Sequence, residues 1–260
     1  MKSTYLMLLA IAATVSITIS SCKKEESGTE RFSSITDAVG NDVMALTFDN
    51  NNRVIKAIAG TTTYDFFYNG DMLLKRTTTL DGSLDAVDSF FYDGSNRFAK
   101  VVSYNENGSK QKETVLSYNG NNTVNQATVN SNTFDPDQLF EFTYNGANLS
   151  MVTESEKQAG TFRKKREFEF LAFDANQNPI ASLIKTSFPD EYNLLIFLWM
   201  SENNFTSAKQ TDYSLINGDV TGTFPITATY EYNGLGLPTT AVTTINGTTN
   251  TNSYHYTTLK

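Results

Sequence analysis

The chain has 260 residues, with 20 Lys+Arg against 28 Asp+Glu, one His, one Cys, one Trp, 18 Phe and 13 Tyr, a composition that suits a soluble β-rich fold. With His255 and Cys22 alone of their kinds, no His/Cys metal cluster can assemble, and a Ser–His–Asp or Cys–His site would rest on His255 alone. The net charge of −8 argues against a nucleic-acid partner, which needs clustered cations; the one dense basic run, Arg163-Lys164-Lys165-Arg166, lies among acids and reads as a solvated strand face.

At the start of the chain, Lys2 precedes an apolar or small stretch from Tyr5 to Ile19. It is too short, and too soon followed by charge, for a spanning helix, and reads as a secretory signal. Its end, Ile19-Ser20-Ser21-Cys22, resembles the lipobox of bacterial lipoproteins. That likeness implies a signal peptide over 1–21 and acylation of Cys22, whose lipid chains make the membrane the first expected partner. Residues 22–34 are expected to form a flexible acylated tether. Within it, Lys23-Lys24-Glu25-Glu26 resembles the surface-export signal of Bacteroidetes lipoproteins, carried by Lys24, Glu25 and Glu26. It implies an outer-membrane protein exposed at the cell surface; a plain charged spacer is the other reading.

Residues 35–260 read as one domain, with strands beginning at Val43 and an internal repeat: an apolar residue, any residue, an aromatic, then Asn or Asp, usually followed by Gly. Copies are Leu46-Thr47-Phe48-Asp49, Phe66-Phe67-Tyr68-Asn69-Gly70, Phe90-Phe91-Tyr92-Asp93-Gly94, Leu116-Ser117-Tyr118-Asn119-Gly120, Phe142-Thr143-Tyr144-Asn145-Gly146, Leu171-Ala172-Phe173-Asp174 and Tyr230-Glu231-Tyr232-Asn233-Gly234. Asn-Gly and Asp-Gly favour tight hairpin turns, which need positive φ. Residues two apart share one face of a strand, so each copy ends a half-buried antiparallel strand. The spacing predicts an all-β, up-and-down meander of about 14–16 strands, rolled into a barrel or half-barrel because so long a sheet cannot stay flat.

Between Phe173 and Tyr232 the period doubles, as if one copy were missing. The intervening run Phe188 to Asn204 starts with Pro189 and acids and continues through Leu194, Leu195, Phe197, Leu198 and Trp199, predicting one short helix near 190–202 that caps the sheet. A buried strand fits the same apolar run.

The repeat resembles the tyrosine-aspartate repeat of the RHS family, most closely at Phe48-Asp49-Asn50-Asn51-Asn52-Arg53-Val54 and Tyr92-Asp93-Gly94-Ser95-Asn96-Arg97-Phe98. RHS proteins enclose a toxin in a far larger shell, and this chain leaves no room for such cargo. A nearer likeness is to small Bacteroidetes lipoproteins with a porin-like domain to which no activity is attached. It implies a barrel-like fold and transfers no functional residue.

Candidate sites are few. Asp174-Ala175-Asn176-Gln177-Asn178 begins like an EF-hand loop, but Pro179 and Lys185 stand where that loop needs Gly and Glu, so it reads as a turn. The run Asp49-Asn50-Asn51-Asn52 reads the same way, and no metal or cofactor is expected. No pair of carboxylates is nominated for glycoside hydrolysis, and His255, flanked by Tyr254 and Tyr256, reads as an ordinary strand residue. Tyr68, Tyr92, Tyr118, Tyr144 and Tyr232 share one end of their hairpins. They read as core packing, as a platform stacking on sugars, or as the aromatic girdle of a spanning barrel. The expected role is non-enzymatic, binding a glycan or protein at the cell surface. A periplasm-facing carrier of an apolar ligand, or a support for the envelope, is the alternative, and a carboxylate-based glycosidase comes third.

Overall fold

A computed structural model describes residues 30–133, 135–181 and 200–258. The strands follow one another as β1 (Glu30–Asp37), β2 (Asp42–Phe48), β3 (Val54–Ala59), β4 (Thr62–Asn69), β5 (Met72–Leu80), β6 (Ser83–Tyr92), β7 (Phe98–Asn105) and β8 (Lys110–Tyr118). They continue as β9 (Val124–Ser131), β10 (Gln138–Asn145), β11 (Asn148–Gln158), β12 (Thr161–Gln177), β13 (Asn203–Tyr213), β14 (Val220–Tyr232), β15 (Pro238–Ile245) and β16 (Thr248–Thr258). Each strand pairs with its sequence neighbours, and β16 returns to β1, so the sixteen strands close into an antiparallel barrel. Closure leaves no unpaired sheet edge.

Two sets of hairpins define two ends. At one rim, the even-numbered strands finish in the repeat motif. In the Asp49–Arg53 and Asp93–Arg97 turns the aspartate Oδ1 accepts two backbone N–H groups, at 2.9 Å and 2.9 Å from Asn51 and Arg53 and at 2.8 Å and 3.0 Å from Ser95 and Arg97. The other oxygen binds the arginine, at 2.6 and 2.7 Å. Asn52 and Asn96 take φ of +61° and +59° there, which explains why Asn or Gly stands at that position. At the opposite rim, two-residue turns such as Asp81-Gly82 and Asn246-Gly247 have positive φ at both residues, the twist that matches a hairpin.

Just past the first rim, the pairing register slips by one residue in six hairpins, so Val54, Leu73, Phe98, Val124, Leu149 and Pro238 oppose the repeat aromatic. These bulges turn the residue after each turn back into the interior, and Val54 and Leu149 are fully buried. The core is therefore aromatic and aliphatic at this end: Phe90 packs on Phe98 at 5.6 Å, Tyr92 on Phe98 at 4.8 Å and Phe170 on Phe205 at 6.0 Å.

Three expectations change, and a fourth lies largely outside the described residues. The barrel begins at Glu30, within the span assigned to the tether, because Phe32 and Ile35, on either side of a bulge at Ser33, both enter the core. No repeat is missing: β13 and β14 follow β12 in unbroken pairing, and the doubled spacing comes from the connection 178–202. The helix expected near 190–202 falls largely outside the described residues, while Met200–Glu202 form a bend leading into β13. At the roots of that connection Ile180 is buried in the core, Asn178 N–H bonds the Glu202 carbonyl at 2.8 Å, and Ser201 Oγ accepts Leu149 N–H at 2.9 Å. Asp174–Gln177, read as a turn, instead forms the irregular end of β12.

Candidate functional site: the polar mouth of the barrel

The five tyrosines do share a rim, but the rings of Tyr68, Tyr92, Tyr118 and Tyr144 are packed against the core, and Tyr232 lies 6.1 Å from the Tyr230 ring. Tyr68, Tyr92 and Tyr118 donate their hydroxyls to the carbonyls of Val54, Leu73 and Phe98, at 2.8, 3.0 and 2.8 Å. Each acceptor is the bulged-in residue of the preceding hairpin, so the phenols stitch one hairpin to the next. Tyr256 does the same to Pro238 at 2.8 Å. It ends an eighth copy of the motif, Tyr254-His255-Tyr256, on β16, which pairs with β1. Next to the long connection Tyr230 takes over, donating to the Phe205 carbonyl at 3.1 Å. Tyr232 is left to bond the Asp174 carboxylate. Burial raises all of these phenols, Tyr92, Tyr118 and Tyr232 to about 12, and Tyr144 is raised for the same reason. His255 points outward, with its Nε2 3.0 Å from Thr36 Oγ1.

Toward the opposite rim the interior changes character. A cavity of about 580 Å³ opens there, lined by Arg76, Asp88, Ser103, Glu154, Lys165 and Arg166 among others. On one wall, Arg76 of β5 is bound to Asp88 of β6 at 2.7 Å, and Asp88 accepts Ser103 Oγ of β7 at 2.5 Å. Both members of the ion pair are almost wholly buried. On the other wall, Glu154 of β11 faces Lys165 at 3.2 Å and Arg166 at 3.4 Å; Arg166 reaches Asp212 at 2.9 Å and Lys165 reaches Glu156 at 2.9 Å. Burial works against the Lys165 ammonium, but Glu154 and Glu156 outweigh it and hold the group above the ordinary lysine range. Lys165 enters the cavity because the β11–β12 register slips between Glu154/Arg166 and Ser155/Lys164.

The basic run read as a solvated face is thus split. Lys164 turns outward to Glu167 at 2.9 Å, while Lys165 and Arg166 line the mouth. Alternation hides this, because a bulge places two successive residues out of step. Of the acids lining the mouth, Asp88, Glu154 and Glu156 are each bound to a cation. Around the mouth the exposed Leu80, Leu84, Ile216 and Val220 stand at the hairpin turns.

The outer wall carries charge along its length: Lys56 faces Asp65 at 3.6 Å, Lys100 faces Glu113 at 3.6 Å and Lys209 faces Glu169 at 2.5 Å. In β10, Phe140 and Phe142 point inward and Glu141 outward. This is the reverse of a membrane-spanning barrel, whose outward face is apolar and whose lumen is polar; a lysine on the lipid side costs about 2–4 kcal/mol at the midplane. The girdle reading of the tyrosines fails on the same ground.

No family model and no curated protein matches the sequence. Among solved structures, the chain is similar to a porin-like protein from Bacteroides uniformis, at 11% identity over 89% of this chain and 98% of that one, with a TM-score of 0.51. A porin-like protein from Bacteroides vulgatus is similar at 13% identity over 87% and 99%, also with a TM-score of 0.51. At such identities the likeness concerns the fold, and both matches span nearly the whole of the neighbour.

Proposed function

We propose that the protein is a non-enzymatic envelope lipoprotein, anchored through Cys22 at the outer membrane with its barrel outside the bilayer, and that the polar mouth captures a hydroxyl-rich ligand such as a glycan. The observation that carries this reading is the polarity of the barrel from end to end. The chain enters at the tyrosine rim, where β1 begins at Glu30, and the cavity opens at the other rim, directed away from an anchor on the N-terminal side. Fixed donors and acceptors on facing walls suit a ligand with many hydroxyls, and the volume suits one or two sugar rings. An apolar cargo is not favoured, since aromatic side chains occupy the apolar half.

The test is in two parts. Protease treatment of intact cells compares the native tether with Lys24→Ala/Glu25→Ala/Glu26→Ala: cleavage of the native form alone supports surface export, and protection of both until lysis places the barrel in the periplasm. Glycan-array binding compares the native protein with Glu156→Ala/Lys165→Ala at the mouth and Tyr92→Phe/Tyr118→Phe at the far rim. Loss of binding in the first variant only supports capture at the mouth. Loss in the second only would return the site to the tyrosines.

A further inference from the structure

The middle position of the repeat carries Thr47, Ser117, Thr143, Ala172, Glu231 or His255 in six of the copies, but Phe67 and Phe91 in the two on β4 and β6. Both phenylalanines are 45% exposed, and each is paired across the strands with a lysine lying over its ring, Lys75 at 4.4 Å and Lys100 at 4.9 Å. Leu74, extruded by the bulge beside Lys75, and Val115, paired with Lys100, are exposed next to them. The result is an apolar patch with cationic edges on β4 to β8, about 19 Å across at the usual strand spacing. The acids within it are Asp65 and Glu113, each facing a lysine, Lys56 on the adjoining β3 and Lys100 of the patch itself.

We infer that this patch seats the tyrosine rim on the lipid headgroup interface, so that the barrel leans on the membrane that anchors it. The inference rests on the acylation of Cys22 proposed above. The patch lies at the rim where β1 begins, three strands or about 14 Å from β1. From Cys22 to Glu30 there are eight residues, which span at most about 28 Å. A barrel on so short a leash holds this rim at the bilayer surface, where exposed aromatic and aliphatic side chains flanked by lysines partition favourably. The exposed apolar residues of the other rim lie farther from the anchor, about 26 Å beyond Glu30 along β1.

The experiment uses the lipidated protein in vesicles of phosphatidylethanolamine and phosphatidylglycerol, with a nitroxide on Ser89→Cys, between the two phenylalanines, or on Thr249→Cys at the opposite rim. Cys22 is the native chain's sole cysteine, so acylation leaves the introduced thiol as the reactive one. Expected are a rise in oxygen over water-soluble relaxant collisions at position 89 on vesicle binding, no change at 249, and loss of the rise in Phe67→Thr/Phe91→Ser. Those replacements copy residues found at the same place in sibling repeats, so the fold is retained. Protein that floats with vesicles while position 89 behaves like 249 overturns the inference and leaves the anchor intact. Protein that does not float overturns both. Spin–spin broadening at 89 without vesicles overturns it in favour of a second copy on the patch.

Discussion

The tyrosine ladder makes a quantitative claim about stability. Replacing Tyr92 and Tyr118 together by Phe keeps both rings, including the 4.8 Å stacking of Tyr92 on Phe98, and deletes two phenol-to-carbonyl hydrogen bonds. A net hydrogen bond contributes about 1 kcal/mol, so the pair should lower stability by about 2 kcal/mol. For a domain of this size that corresponds to a fall in Tm of about 4–8 °C. The two sites share Phe98, which stacks on Tyr92 and accepts from Tyr118, so a double-mutant cycle should show coupling of about 0.5 kcal/mol or more. Replacement by Ala removes the rings as well and should cost about 3–5 kcal/mol per site. Urea unfolding followed by circular dichroism measures this, with a shift in midpoint at constant slope as the signature. A Phe double variant that unfolds like the native protein yet no longer binds its ligand would refute the structural assignment of the rim.

Alkali provides an independent check. Because burial raises Tyr92, Tyr118 and Tyr232 to about 12, their contribution is complete below the unfolded value near 10 and disappears as the pH climbs through 12. Stability should be level to about pH 10 and then drop, with phenolate absorbance rising together with unfolding; free titration of most tyrosines near pH 10 in the folded protein would contradict the ladder. At the mouth, Arg76→Met alone strands the buried Asp88 carboxylate and should destabilise by about 3–5 kcal/mol, whereas Arg76→Met/Asp88→Leu should recover much of it, as thermal unfolding will show. Added to a planar lipid bilayer, the purified protein should give no conductance steps, since aromatic side chains fill the barrel toward the tyrosine rim; stepwise conductance would overturn the account of the interior.

The meander was legible because its two determinants are local. Asn-Gly and Asp-Gly turns fix where strands reverse, and an aromatic two residues from an apolar neighbour fixes which face is buried. Closure itself was open between a barrel and a half-barrel, because the pairing of β16 with β1 joins residues more than 200 apart in the chain. Two things were not legible. The bulges shift register by one residue and so carry Lys165 into the mouth against the alternation on which a face assignment depends. The mouth itself combines Arg76, Asp88, Ser103, Glu154 and Lys165 from five strands, and their partnership is fixed by closure and stagger, not by spacing along the chain. The doubled period misled for a simpler reason: an insertion between β12 and β13 lengthens the interval without removing a hairpin.

Sixteen strands can enclose water in a membrane or a core in water, and the alternating side chains decide between them. In the pore solution the lumen is polar and wide; here Phe66, Phe90, Phe140, Phe142, Phe168 and Phe170 turn inward, and ion pairs such as Lys56–Asp65, Lys100–Glu113 and Lys209–Glu169 turn out. At about 25 cal/mol per Å² of apolar area, burying such rings is the main gain on folding, and inserting the barrel in lipid would forgo solvation of the outer charges without compensating hydrophobic burial. The proposed acyl anchor at Cys22 would hold such a barrel at a membrane without inserting its charged outer wall. Filling one end also leaves the mouth as the place where side chains meet both solvent and one another in a concave setting. The buried Arg76–Asp88 pair is costly to keep in a core that apolar residues could fill, and its persistence beside a solvent-open cavity is the strongest reason to look for the ligand there.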